Sequence, residues 1–460
     1  MAHQENEGKM QDEVPYSNAP CSERRPGGTS RSRINELLPS ELLAYIFATA
    51  IIDFLPEDHR FFLALVCSIC RCWRDVAIEA SDLWTTIYIH NQKHIPAAEL
   101  FLERSKIQLL DVDVEVDVDL EGFDYDADTL RVAELTSVHL ERTRSLALSV
   151  SDVQGAEIFS TLYQPMSAPH LVSLSVHIPG WSQGIVPFLE SVCSFSSDGS
   201  DGLHSNRISI SNLTRHELTA SVHHDLEQGD LRNIFTYFPS LETLILPRFA
   251  GKWGLEEDRE DRPIMLAPNS LRSLAVHLSS DHVYNSPCFY VLGSVRFQNL
   301  EYLEVLGKSS LLNLNLSNHF KGLQKLKTLR LQRCYVPPLD DDFFRSLKLL
   351  NHLELVDDLS RVKWFTESSP TEATLPLPHL SSISLSDRSR KSSDMSQWAR
   401  LAQLAVQNSG CTQFSVKVTA QHYRSMTCAL DPQDEGILVE VQDHPSGLLP
   451  PGLVSYWSGR

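Results

Sequence analysis

A leucine followed three positions later by Leu or Ile and two further on by an aliphatic residue recurs along the 460-residue chain, and seven of these copies mark a candidate repeat. The copies are Leu171-x-x-Leu174-x-Val176, Leu241-x-x-Leu244-x-Leu246, Leu271-x-x-Leu274-x-Val276, Leu300-x-x-Leu303-x-Val305, Leu326-x-x-Leu329-x-Leu331, Leu350-x-x-Leu353-x-Leu355 and Leu380-x-x-Ile383-x-Leu385. From Leu241 onward their starts are 30, 29, 26, 24 and 30 residues apart. A unit of that length carries one apolar row that only a neighbouring unit can cover, so such units stack. The last two apolar positions of each copy are two apart, which predicts a strand with those residues inward. The same alternation sends Thr328, Arg330 and Gln332 to the opposite, concave face, with Tyr302 and Glu304, His352 and Glu354, and Ser382 and Ser384 aligned beside them. Helix-like stretches fall between copies, at Gly229–Phe238, Asp340–Leu350 and Met395–Gln407. The long gap between Leu171 and Leu241 has room for two further units, one around Ile208-Ser-Ile210.

The pattern is close to the leucine-rich repeat, which pairs a strand with a helix or turn. Only Leu331-x-x-Cys334 continues to the full signature, so the copies are degenerate.

The rest of the composition narrows the function classes. Forty Lys plus Arg against 59 Asp plus Glu leave a net charge of −19, which gives no general attraction to phosphate backbones or anionic membranes. No nucleic-acid or membrane partner is therefore expected. The longest mainly apolar stretch, Leu42–Ile52, interrupted by Thr49, is far short of the about 20 residues of a spanning helix. The polar N-terminus has no secretory signal core, and nine scattered cysteines make no disulfide framework. A reduced, cytoplasmic or nuclear protein is the expectation.

Residues 1–33 are polar and rich in Gly, Pro, Ser and Arg, an expected disordered tail. From Leu38-Pro39-Ser40-Glu41 a helix is expected, with Pro at its entrance and Glu in its first turn. Its apolar face is Leu43, Ile46, Phe47, Ala50, Ile51 and Phe54. After a break at Pro56–Arg60 a second helix is expected from Phe61 to Ala80, with one stripe through Phe62, Leu65, Val66, Ile69, Trp73, Val76, Ala77 and Ala80. Thr85–Ile89 reads as a strand by its β-branched content.

Three segments in this order, Leu38-Pro39-x-Glu41-Leu42-Leu43-x-x-Ile46-Phe47, Ile69-Cys70-Arg71-x-Trp73-Arg74-Asp75-Val76-Ala77 and Leu83-Trp84-x-x-Ile87, resemble the F-box. More narrowly they are similar to the F-box-like proteins of mushroom-forming fungi, which share the Leu-Trp ending and a Leu-Glu-Arg-Ser segment, here Leu102–Ser105. The long linker at Ile51–Phe61 and Ser81, where proline is common, depart from the family pattern. The resemblance implies a small three-helix module that docks a Skp-type adaptor and, through it, a cullin–RING ubiquitin ligase. It puts Leu38, Pro39, Leu42, Ile46, Phe47, Val66, Trp73 and Trp84 in the adaptor surface and its support. Independently, a helical unit of this size is near the lower limit for a self-supporting core, and Leu38, Pro39, Leu42 and Phe47 would form an apolar patch wanting a partner.

Other constellations carry less. Cys67, Cys70 and Cys72 lie close together, but a zinc site needs four converging ligands and no second pair follows. Asp111-Val-Asp113-Val-Glu115-Val-Asp117-Val-Asp119 alternates strictly, a strand with valines inward and an acidic face outward, expected as a solvated sheet edge. Asp124-x-Asp126-x-Asp128 opens like a calcium loop but has Thr129 and Leu135 where Gly and Glu belong. Ser384–Ser396 reads as a flexible serine-rich loop. No phosphate loop, zinc-protease or nucleophile-elbow motif occurs, so no cofactor, metal or catalytic residue is expected.

The expected fold class is α/β: a tail at 1–33, a three-helix F-box at 34–90, a leucine-rich-repeat-like solenoid at 91–430, and a cap or tail at 431–460. The expected function is the non-catalytic substrate receptor of a Skp–cullin–F-box ligase in ubiquitin-dependent protein degradation. Tyr302, Glu304, Thr328, Arg330, His352 and Glu354 are the candidates for binding the target protein. The alternative is a ligase-independent interaction scaffold.

Overall fold

The computed structural model describes residues 38–116, 125–151, 153–163, 166, 168–178, 213–220, 228–249, 265–278, 295–307, 322–332, 346–356, 379–386, 395–409, 413–430 and 436–442. The fold is mixed α/β with a parallel sheet. Three helices come first: α1 (Ser40–Ile51), α2 (His59–Ile69) and α3 (Arg71–Glu79). A 3-10 turn at Pro56–Asp58 separates the first two, and another at Ser81–Trp84 follows the third. Strands then alternate with returns: β1 (Thr86–Ile89), α4 (Ile95–Arg104), β2 (Leu110–Val116), α5 (Tyr125–Ser137), β3 (Thr143–Val150), α6 (Val153–Tyr163), β4 (Ser173–Ile178) and β5 (Arg215–Ala220). The chain continues through α7 (Gln228–Tyr237), β6 (Thr243–Phe249), β7 (Met265–Leu266), β8 (Ser273–Leu278), β9 (Val295–Arg296), β10 (Tyr302–Gly307), β11 (Thr328–Gln332) and β12 (His352–Val356). Last come β13 (Ser382–Ser386), α8 (Ser396–Ser409), β14 (Phe414–Val418), α9 (Ala420–Ala429) and β15 (Ile437–Val441).

Thirteen of these strands form one sheet whose spatial order is the chain order, while β7 and β9 pair with each other. Every pairing is parallel. The repeated leucines explain it. All twenty-one apolar positions of the seven copies are at most 3% exposed. They also meet in register: Leu244, Leu274, Leu303, Leu329, Leu353, Ile383 and Val416 form one row across seven strands. Fully burying each such side chain contributes about 1.5–3 kcal/mol. The residue before most strands repeats a backbone pattern as well: the carbonyls of Glu242, Arg272, Glu301, Lys327 and Asn351 each accept two N–H groups from the start of the next strand.

Several expectations change. The helix expected over Phe61–Ala80 is two helices, because Cys70 is extended (φ −158°, ψ 169°) and its Sγ accepts the Trp73 N–H at 3.4 Å, capping α3. Its single stripe is therefore split, and Leu65 and Ile69 are 62% and 53% exposed. The acidic strand β2 is not a sheet edge; it is paired on both sides, with β1 and β3. Asp128, expected in a solvated acidic segment, lies in α5 and is buried. Ser384 belongs to β13 and Ser396 opens α8, so the serine-rich stretch is not all loop. Between Leu171 and Leu241 the described residues hold one strand beyond β4, namely β5. The expected helices at Gly229–Phe238 and Met395–Gln407 match α7 and α8.

The expected tail at 1–33, the strand around Ile208, residues 340–345 of the expected helix, Asp117, Asp119 and Asp124 lie outside the described residues. No helix among the described residues is long and apolar enough to cross a membrane.

Candidate functional site

Two places concentrate the residues singled out from sequence: the surface of the three N-terminal helices, and one face of the sheet from β10 to β13.

In α1, Leu43, Phe47 and Ile51 recur every four residues and are buried, so one stripe faces the interior. They pack in one core with Leu63 and Val66 of α2 and Val76 and Ala77 of α3. Phe47 meets Trp73 with ring centroids 5.1 Å apart at 53°. Phe47, expected in an exposed patch, is thus only 2% exposed and is support. Val66 and Trp84 are likewise buried, and Leu38 and Trp73 are partly buried against the core. What remains outward is Pro39, Leu42 (50% exposed) and Ile46 (47%), the last two one helical turn apart on α1. Tyr45, Ile52, Phe54, Leu55, Phe61, Leu65 and Ile69 are exposed as well. Among the described residues, nine of the twenty exposed large apolar side chains fall between Leu42 and Ile69. That density is what a partner-covered surface requires.

Trp84 ties this unit to the sheet. Its Nε1–H donates to the Ala77 carbonyl at 2.7 Å, its ring stands edge-on to Phe101 of α4 (4.9 Å, 81°), and the Arg104 guanidinium lies 4.4 Å over it. At the same joint Tyr88 of β1 donates to Glu57 at 2.9 Å across a cleft walled by Pro56, Ala97, Ala98 and Phe101.

The acidic face of β2 is occupied from within. His90 Nδ1 lies 2.6 Å from Glu115 and Nε2 lies 3.2 Å from Asp113, while Arg144 Nε donates to Asp111 at 3.1 Å. Burial opposes a charge on His90, but the two carboxylate hydrogen bonds outweigh it and raise its pKa to about 9. Its partner Glu115 is held below the usual carboxylate value by the same hydrogen bond. Nearby His94 goes the other way, lowered to about 4 by burial, then by Arg60 and His90. His90 was not singled out from sequence, although β1–β2 pairing sets Tyr88 beside Asp113 and so carries His90 toward Glu115. A folded-state pKa above the unfolded 6.5 means this contribution is full below pH 6.5 and is lost as pH rises through 9. Thermal midpoints of the protein and of His90→Gln are therefore expected to differ most near pH 6 and to converge above pH 9. A gap that does not close would show that His90 is not charged.

On the sheet face, Tyr302, Thr328, His352 and Ser382 are in one register row, and Glu304, Arg330, Glu354 and Ser384 in the next. The alignment is as expected, but the second row is not open: Glu304 is 1% and Arg330 3% exposed. Arg330 Nε lies 3.2 Å from Glu304 and Nη1 donates to Glu354 at 2.6 Å. The Tyr302 hydroxyl donates to Glu304 at 3.1 Å. His352 reaches Glu354 through Nε2 (3.1 Å) and Ser382 through Nδ1 (2.6 Å). Burial and the adjoining Glu304 carboxylate push the Tyr302 phenol far up. Burial alone would raise Glu354, yet the hydrogen bond from His352 and the Arg330 charge hold it below its ordinary value. Chemically this is a buried polar ladder, one guanidinium held between two carboxylates, that joins four strands.

Among the described residues no group of three or more His, Cys, Asp and Glu converges as a metal site. No protein-family model matches the chain, and no curated protein matches it.

Proposed function

We propose that the chain is the non-catalytic substrate receptor of a Skp–cullin–F-box type ubiquitin ligase. In this reading the three N-terminal helices are an F-box that docks the adaptor. The parallel sheet is a degenerate leucine-rich-repeat-like solenoid that captures a target protein, and ubiquitin transfer belongs to other subunits. The observation that carries it is the exposed stripe of Leu42 and Ile46 beside the buried Leu43–Phe47–Ile51 stripe, within the densest apolar surface among the described residues. The ordered Leu-Pro, Cys-Arg-x-Trp-Arg and Leu-Trp segments give that surface its expected partner. Burial of every repeated leucine position supports the solenoid reading.

The test is co-expression of the full chain with a Skp-type adaptor. Leu42→Asp with Ile46→Asp places charges on the docking stripe and leaves the buried stripe intact. Binding is expected to fall by at least about tenfold per substituted residue, with the far-ultraviolet circular dichroism unchanged. Undiminished co-purification overturns the reading. Adaptor binding without recruitment of a cullin would favour the ligase-independent scaffold.

A further inference from the structure

The two ends of the thirteen-stranded sheet are finished differently. At the first, the helical unit reaches over β1, with Tyr88 bound to Glu57. At the last, β15 pairs among the described residues with β14 alone. In a parallel strand successive residues turn their N–H and C=O to alternate sides. The Gly436 carbonyl accepts the Phe414 N–H at 2.6 Å and the Gln442 N–H donates to Val418 at 2.9 Å, so the even-numbered residues face β14. Ile437, Val439 and Val441 therefore aim theirs away from β14, at the edge that no described residue covers with a strand. The strand is apolar and partly uncovered there, with Leu438 40% and Val441 54% exposed. Sheet edges are normally protected by Lys, Pro or a bulge. Ile437–Val441 contains no Lys, Arg or Pro, and its pairing with β14 is in unbroken register.

We propose that this edge joins a second copy of the chain, β15 against β15, antiparallel about a two-fold axis through Val439. The strand is self-complementary in that arrangement. Val439 meets Val439, and Ile437 meets Val441. All three outward residues become hydrogen-bonded pairs, making six bonds from the three free N–H groups of each copy. The axis keeps the two helix faces on one side, so Ile437 and Val439, already packed against the core, extend their apolar row into the partner copy. Glu440 falls opposite Leu438 rather than opposite itself, and it is in register with Lys417 of β14, so no like charges oppose. A foreign strand could use the same edge, but the strand's one charge, Glu440, falls opposite Leu438 when the strand pairs with itself and so does not oppose self-pairing. The inference goes beyond the ligase reading and does not depend on it. Together they give a receptor with two adaptor-docking units at the far ends of one continuous sheet, able to engage its partners bivalently.

Light scattering after size exclusion, across low to high micromolar concentrations of the full chain, reads the assembly directly. The molar mass is expected to rise from one chain toward two. Val439→Pro removes a central N–H that makes no bond among the described residues, at an edge position where proline is tolerated. It is expected to stay monomeric with unchanged circular dichroism. Hydrogen exchange of 436–442 in the unsubstituted chain is expected to slow as concentration rises, at Ile437, Val439 and Val441. That measurement decides the matter even where Val439→Pro does not fold. A monomer at every concentration overturns the proposal, and protected edge amides in that monomer would mean that the same chain covers the edge. A Val439→Pro chain that dimerises as well as the original also overturns it.

Discussion

Replacing Arg330 with Met is expected to destabilise the protein by about 3–5 kcal/mol, read as a lowered denaturant midpoint. Arg330 is 3% exposed and holds Glu304 on one side and Glu354 on the other. A methionine fills most of its volume, so little of the loss is cavity. The loss comes from two carboxylates left close together, out of water, with no cation between them. Converting the whole group is a different experiment. Arg330→Met with Glu304→Gln and Glu354→Gln removes the charges together and keeps acceptors for Tyr302. It is expected to recover most of the loss, because replacing a complete buried ion group costs far less than breaking one. The pH response should also invert. In the unsubstituted protein Glu354 has a depressed pKa, so its contribution is present above the unfolded carboxylate value and is lost as pH falls through the folded one. In Arg330→Met the uncompensated carboxylates are raised, so the variant gains on the original as pH falls. An unchanged midpoint at neutral pH would show that the ladder is solvated.

That ladder marks how far the sequence could be read. Its membership was legible: in a repeat with strict alternation, the second leucine's predecessor and the residue two places after it share a face, and registering the copies lines up Glu304, Arg330 and Glu354. Its burial was not legible, because alternation says which way a side chain points and nothing about what lies over it. The same difference separates Leu43 from Ile46 in α1. Both fit a helical apolar spacing, but only packing decides that one is 2% and the other 47% exposed. The break at Cys70 was hidden because apolar residues keep a 3.6-residue rhythm from Phe62 to Ala80, and a thiol that accepts the Trp73 N–H leaves that rhythm intact. The acidic run in β2 misled for a related reason. Read alone it looks like a deterrent edge; paired, its charges are answered by His90, just past the end of β1, and by Arg144 of β3. Properties of one strand were readable, and properties of a pair needed the register.

Trp84→Ala tests the other pair-level feature, the joint between the helices and the sheet. Trp84 is 2% exposed and contacts two elements at once: the end of α3 through the Ala77 carbonyl, and α4 through Phe101 and Arg104. Truncating a buried tryptophan costs about 3–5 kcal/mol. The core that begins in the helices runs on through the sheet to β14, most of it remote from Trp84, so the loss should be greatest locally. Hydrogen exchange is expected to accelerate across 71–104 and to stay unchanged in β10–β13, and limited proteolysis is expected to release the helical unit first. Trp84→Phe keeps the apolar plate against Phe101 but loses the Nε1–H donor, leaving the Ala77 carbonyl without that bond. It is expected to cost only about 1–2 kcal/mol. If both variants melt the whole chain in one transition, the helices and the sheet are a single cooperative unit and Trp84 belongs to its common core. If instead exchange rises only in the helices, the unit is held to the sheet chiefly by this one side chain, and its orientation toward any docked adaptor depends on it.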